Sequence, residues 1–185
     1  MIAPRMPTIL FVHENFPAQF GAFAGYLAGR GWSVHVATAA EKVKATETGT
    51  PLGNGVILHR YKRSRDPSEA THGYLKGTER AVLNGQGFAR LGGRLKAQGL
   101  IPDIVMAHSG WGSGSFSKVV WPETKFVPYM EWWYHYPPVD RDPDAPVKLD
   151  PDAEANTLCR NLPFLLDAQC ADAFVCPTRF QAEQL

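Results

Sequence analysis

A chain of 185 residues is about one domain and buries roughly 70% of its unfolded surface on folding, so it needs neither a disulfide nor a metal staple. Hydrophobic residues at 44% and charged residues at 20% exclude wholesale disorder, and a net charge of +1 gives no general electrostatic pull toward nucleic acid. Cys159, Cys170 and Cys176 are odd in number and lack C-x-x-C spacing, which predicts buried, reduced thiols in a cytosolic protein rather than a disulfide framework or zinc site.

The first element is Thr8-Ile-Leu-Phe-Val-His13, a near-continuous apolar run of the kind that forms a central strand covered on both faces. Pro17 suits the first turn of a helix, and Phe20, Phe23, Ala24 and Leu27 make its apolar stripe. Gly29 and Gly31 end that helix, and Trp32 to Thr38 reads as a second strand. From Ala39 to Gly55 the sequence is polar and glycine-bearing, a loop, and Val56 to Tyr61 is a third strand. The basic residues Arg60, Lys62, Arg63 and Arg65 follow closely, either as a solvated loop or as a phosphate or anionic-membrane contact. Tyr74, Ala81, Phe88 and Leu95 recur every seven residues and predict a helix over much of 70–98, its five glycines marking breaks or close packing.

The most informative stretch is Asp103-Ile-Val-Met-Ala-His-Ser-Gly-Trp-Gly-Ser-Gly114, a strand that ends in a histidine and breaks into glycines. Phe116, Val119 and Val120 then predict a helix starting near Trp111. In an open parallel sheet this turn lies at the carboxyl edge, where such folds bind ligands. No nucleophile elbow is present, because neither Ser113 nor Ser115 sits midway between glycines. A phosphate loop fails because Ser117 and Val119 stand where a glycine and a hydroxyl residue are needed. The dinucleotide fingerprint is nearer, with Glu131 about 20 residues downstream, but Ser115 and Ser117 occupy its third-glycine places. Lys125 to Glu131 reads as a fifth strand, irregular or near an edge because of Pro128, and it brings Glu131 to the edge that holds His108. Trp132 to Pro138 is an aromatic cluster suited to stacking on a sugar ring or to interface packing, and Asp140 to Pro151 is an exposed loop. A helix over 153–167 must kink or restart at Pro163, Ala171 to Cys176 is a final strand, and Thr178 caps another helix.

Three phrases together resemble the N-terminal domain of bacterial glycosyltransferases of family four, which have the GT-B fold: Ile9-Leu-Phe-Val-His-Glu-Asn-Phe-Pro-Ala-Gln-Phe20, His108-Ser-Gly-Trp-Gly112 and Cys176-Pro-Thr-Arg-Phe-Gln181. The likeness spans essentially the whole chain. It implies that residues 1–185 form one Rossmann-like, acceptor-side domain, a doubly wound and mostly parallel α/β sheet. A C-terminal domain, absent here, would hold the nucleotide sugar and an acidic pair. It further implies sugar transfer with retention of configuration, no catalytic metal or other cofactor, and a role in carbohydrate or cell-envelope biosynthesis.

By that resemblance His108 faces the reacting sugar, while Asn15, Phe16 and Gln19 belong to the loop bordering the cleft. Gly110 and Gly112 admit a ligand close to the backbone, with Trp111 on the rim. Glu131 accepts hydrogen bonds from acceptor hydroxyls or pairs with a basic side chain. Tyr134 joins the aromatic wall, and Arg179 contacts phosphate or is solvated. The expected partners are a sugar acceptor and the chain's own C-terminal domain, with no nucleic acid. The expected location is the cytoplasm or the inner face of the membrane, reached through Arg60, Lys62, Arg63 and Arg65. Without its companion domain the fragment should transfer no sugar and should self-associate through the patch around Trp132 and Tyr134. A GT-B-like sugar-nucleotide epimerase and a non-catalytic dinucleotide-binding domain remain alternatives.

Overall fold

The computed structural model describes residues 5–41, 49–147 and 149–185. Its strands are β1 (Thr8–His13), β2 (Ser33–Thr38), β3 (Thr50–Pro51), β4 (Val56–Arg60), β5 (Ile104–His108) and β6 (Lys125–Tyr129). The helices are α1 (Gly21–Gly29), α2 (Lys76–Ala97), α3 (Ser117–Val120), α4 (Pro151–Arg160), α5 (Leu162–Cys170) and α6 (Arg179–Ala182). One sheet runs in the order β3-β4-β2-β1-β5-β6, with every pairing parallel except that of β3 with β4. This is the expected doubly wound, Rossmann-like α/β fold.

The alternation of β1 shows why its apolar run is unbroken. Leu10 and Val12 point to one face and pack with Phe88, Leu91 and Leu95 of α2, while Ile9 and Phe11 point to the other and pack with Phe20 and with Ala24 of α1. Fully burying each such side chain is worth about 1.5–3 kcal/mol, so β1 is the two-sided keel of the domain. The glycines of α2 mark close packing and no break. A Cβ on Gly87 would stand 2.5 Å from the Lys62 carbonyl oxygen, and one on Gly85 would stand 2.8 Å from that of Gly112. They let a continuous helix of 22 residues lie against two loops.

Four expectations need correction. Part of 39–55 is a hairpin: Asn54-Gly55 turns the chain so that Thr50 and Pro51 pair antiparallel with Leu58 and Ile57. The rest of that loop includes 42–48, which lie outside the described residues. Ala171 to Cys176 is not a strand but a single parallel bridge, Val175 to Tyr129. The reason is Asp172, whose carboxylate accepts the Phe126 N–H at 2.8 Å in place of a backbone carbonyl and also binds Lys118 and Lys125. Pro128 is tolerated because the N–H it lacks would face this outer side, between Phe126 and Met130, whose N–H groups bond Asp172 and Val175.

The helix after β5 is shorter than predicted and leaves Val119 78% exposed, because the turn uses residues 109–116. The cysteines are free but only partly buried. The restart at Pro163 is as expected, with α4 ending at Arg160 and α5 beginning at Leu162. Asp150 caps α4 ahead of Pro151. Among the described residues no helix is long and apolar enough to cross a membrane.

Candidate functional site

The strand order reverses at β1, whose neighbours β2 and β5 lead to opposite edges, so the crevice for a ligand lies beyond the carboxyl ends of β1 and β5. Both strands end in histidine. The rings of His13 and His108 lie edge to face with centroids 4.8 Å apart. His13 accepts the Asn15 N–H on Nδ1 at 2.8 Å, and burial, then the neighbouring His108, holds it down to about 4, so it is neutral at pH 7.

His108 Nε2 lies 2.8 Å from Glu131 Oε2, and His108 Nδ1 lies 3.0 Å from the Ser109 carbonyl. The Ser109 carbonyl and the Glu131 carboxylate both offer acceptor oxygens to the ring, one at each nitrogen. The Gln19 amide donates to both Glu131 oxygens, at 3.2 and 3.0 Å. Burial pushes the Glu131 carboxyl up, but the His108 and Gln19 hydrogen bonds and the nearby imidazoles outweigh it, leaving the group below its ordinary value. The result is an anchored carboxylate whose side chain is still 40% exposed.

Behind this pair the turn is held from two directions. Gly110 and Gly112 adopt φ values of +83° and +73°, and a Cβ on Gly112 would stand 2.0 Å from the Ala81 carbonyl oxygen, so neither position accepts a side chain. Asp167 of α5, 1% exposed, accepts the Ser115 hydroxyl at 2.6 Å and the Gly110 N–H at 3.3 Å. Burial raises Asp167 to about 6 despite those hydrogen bonds. On the other side Asn84, fully buried in α2, donates to the Trp111 carbonyl at 2.9 Å and accepts from Arg63, which also binds Glu14 at 2.7 Å.

The aromatic segment is fixed in the same way. Asn161, at the junction of α4 and α5, accepts the Tyr134 N–H and donates to the Tyr134 carbonyl, at 3.1 and 2.8 Å. Trp132 rests against Phe180, and Trp133 and Tyr134 meet Phe164 edge-on. Together these elements enclose a cavity of about 320 Å³ whose wall includes His108, Gly110, Trp111, Glu131, Trp132 and Tyr134. Gln19 reaches this group through Glu131.

Three predicted residues stand elsewhere. Asn15 lines a separate cavity of about 340 Å³ with Arg60, Lys62, Arg63 and Arg65, so it is not on the rim of the first. Phe16 packs on the apolar face beneath α1, its N–H bonded to Thr38 Oγ1. Arg179, 91% exposed, pairs with Glu183 on α6 at 2.6 Å. His108 itself is only 8% exposed and forms wall rather than rim. In the basic run Arg63 and Arg65 are already paired, with Glu14 and Asp66 and with Glu79. His13, Asp167, Asn84 and Asn161 are site residues that sequence reasoning misses. Only His13 carries a local signal, a histidine ending the first strand as His108 ends the fifth.

Among the described residues no group of three or more His, Cys, Asp or Glu is placed to hold a metal ion. A family model described as "glycosyl transferase family 4 group" matches residues 30–185. Comparison with curated proteins finds no match. Among solved structures, the chain is similar at 17% identity to a mutant of O-ureido-L-serine synthase with O-ureido-L-serine bound, covering 98% of this chain and 59% of that one, with a TM-score of 0.29.

Proposed function

Because this chain belongs to the glycosyl transferase family 4 group, we propose that it is the acceptor-binding domain of a retaining glycosyltransferase that moves a sugar from a nucleotide sugar to a glycan, lipid or small-molecule hydroxyl. The observation that carries the proposal is the anchored Glu131–His108–Gln19 group in the wall of an aromatic cavity at the topological switch point.

Glycosyl transfer builds positive charge at the anomeric carbon as the diphosphate departs, so for retention the acceptor side must hold an attacking hydroxyl on the face of that carbon from which the diphosphate leaves. Glu131 is suited to this. Its Oε2 is engaged by His108 while Oε1 has only the longer Gln19 contact, leaving lone pairs for an acceptor hydroxyl. Trp111, Trp132 and Tyr134 offer apolar faces for a sugar ring. His108, pinned at Nδ1 and Nε2, orients Glu131 and presents its ring edge to the donor sugar.

The donor is proposed to be held by a second, nucleotide-binding domain, with no metal, and the 185-residue chain alone to transfer no sugar. The test is transfer from a panel of nucleotide sugars by the chain alone and by the protein joined to its nucleotide-binding domain. Only the joined protein should turn over, and Glu131→Gln in it should lower kcat/KM by about 100-fold, the scale of one well-placed polar group. Comparable transfer by the isolated chain refutes the two-domain division, and full activity of E131Q refutes the role of Glu131.

A further inference from the structure

We propose that the acceptor taken by this cavity carries a negatively charged substituent, a carboxylate or a phosphate, bound by Arg80 and Arg160. The inference rests on the cavity being the acceptor site. Both arginines line it, Arg80 from the second turn of α2 and Arg160 from the last turn of α4. Neither makes an ion pair or a hydrogen bond with any described residue. Other basic side chains of the domain are engaged in ion pairs: Arg63 with Glu14, Arg65 with Glu79, Lys118 and Lys125 with Asp172, and Arg179 with Glu183. Arg80 and Arg160 thus bring two guanidinium groups without an ion pair to one concave site.

Arg160 is also pre-positioned. Its guanidinium carbon lies 3.5 Å from the centre of the Tyr134 ring, and the Tyr134 backbone exchanges two hydrogen bonds with the buried Asn161, donating one and accepting the other. Stacking on an aromatic face occupies the face of the guanidinium and leaves its N–H edge to donate, the geometry that grips a carboxylate or phosphate in a bidentate manner. The cavity is thus polarised. Glu131 stands at the sheet edge with His108, where an anion is repelled and a hydroxyl is accepted, and the two cations stand on the helical wall. A sugar lying against Trp111 and Trp132 would set its reactive hydroxyl at Glu131 and its charged substituent at Arg80 and Arg160. The donor's diphosphate is the competing source of such an anion. The acceptor is favoured because Arg160 is stacked on Tyr134, one of the aromatic residues that line the cavity.

The test is titration of the 185-residue chain, followed by tryptophan fluorescence, with matched sugars: glucose against glucuronate and glucose 6-phosphate, and galactose against galacturonate. The charged member of each pair should bind about tenfold tighter or better, the scale of one charge-assisted hydrogen bond. That preference should shrink to within about twofold in R80Q/R160Q. Both side chains are exposed, so the double variant should melt with the wild type. If it does not, raising sodium chloride to about 0.5 M on the wild type should erode the same preference by screening. Equal binding of charged and neutral sugars overturns the inference while leaving the acceptor site in place. Binding of no sugar removes both. A preference that survives R80Q/R160Q places the anion elsewhere, and displacement of the acidic sugars by uridine diphosphate assigns the arginines to the donor; either result overturns the inference.

Discussion

Asp167→Asn isolates a single buried charge beneath the site. The carboxylate is 1% exposed and is raised from 3.8 to about 6, chiefly by burial, in spite of accepting from Ser115 and Gly110. A folded-state value above the unfolded one means that the native state holds the extra proton between about pH 4 and 6. Ionising Asp167 therefore costs stability as the pH rises through that window, and at about 1.36 kcal/mol per pH unit the raised value corresponds to about 3 kcal/mol. His13 and His35, both lowered to about 4 by burial and by a neighbouring imidazole, act in the opposite sense over much of the same range. They remain neutral in the fold while the unfolded chain binds protons, so acid destabilises through them.

The Asp167 contribution is consequently read as a difference. Urea unfolding of wild type and D167N at about pH 4.5, 6 and 7.5 should show the variant gaining relative stability with rising pH, by about 2 kcal/mol across the range, the part of the full window that lies above about pH 4.5. Asn keeps the shape and an acceptor oxygen but has no charge to desolvate. A difference between the two proteins that stays constant with pH refutes the claim that Asp167 carries a buried, titrating charge.

Gly112→Ala should destabilise the domain by about 3 kcal/mol or more, measured by denaturation, since its Cβ would meet the Ala81 carbonyl at 2.0 Å on a backbone with φ +73°. Phe88→Ala removes a fully buried ring from the core between α2 and the sheet and should cost about 3–5 kcal/mol in the same assay. Asn161→Ala leaves the Tyr134 N–H and carbonyl without their partner and should cost about 1–3 kcal/mol, with a loss of sugar binding larger than that of Leu158→Ala on the exposed side of α4. Chelation by EDTA should leave sugar transfer by the proposed two-domain protein unchanged; loss of turnover restored by a divalent cation would contradict the proposed metal-free reaction.

The strands are legible because each main strand is a short apolar run bounded by turn residues, and burial on both faces of β1, β2 and β5 produces that pattern. Among the described strands β3 is missed from sequence, and the segment around Val175 is read as a strand where the structure has a single bridge. Both depend on a few hydrogen bonds at sheet edges, one pair set by the Asn54-Gly55 turn and the other interrupted by the Asp172 side chain. At the site, His108, Gly110, Trp111 and Glu131 follow from strand ends and a glycine turn, features local in sequence. Asp167, Asn84 and Asn161 do not, because each lies within a helix or at a junction and acquires its meaning from a loop 27 to 57 residues away. Asn15 misleads for the same reason in reverse. It adjoins the first strand, but its backbone turns toward His13 and its side of the edge opens on the basic loop.

The division between legible and illegible residues follows how the domain is built. A doubly wound sheet supplies rigid strand ends, and those ends place His13 and His108 without help from distant residues. The rest of the cavity is loop, and a loop presents side chains accurately only when its backbone polar groups are tied down. Two buried asparagines do this here, Asn161 with both ends of its amide on Tyr134 and Asn84 by donating to the Trp111 carbonyl while accepting from Arg63, and Asp167 holds Gly110 and Ser115. An apolar residue at any of the three places would leave buried backbone or hydroxyl groups unpaired, at about 1–3 kcal/mol each, and would release one aromatic or glycine segment of the wall. Burial of three polar side chains beneath a cavity, costly in an ordinary core, is consistent with selection for the shape of the wall above them.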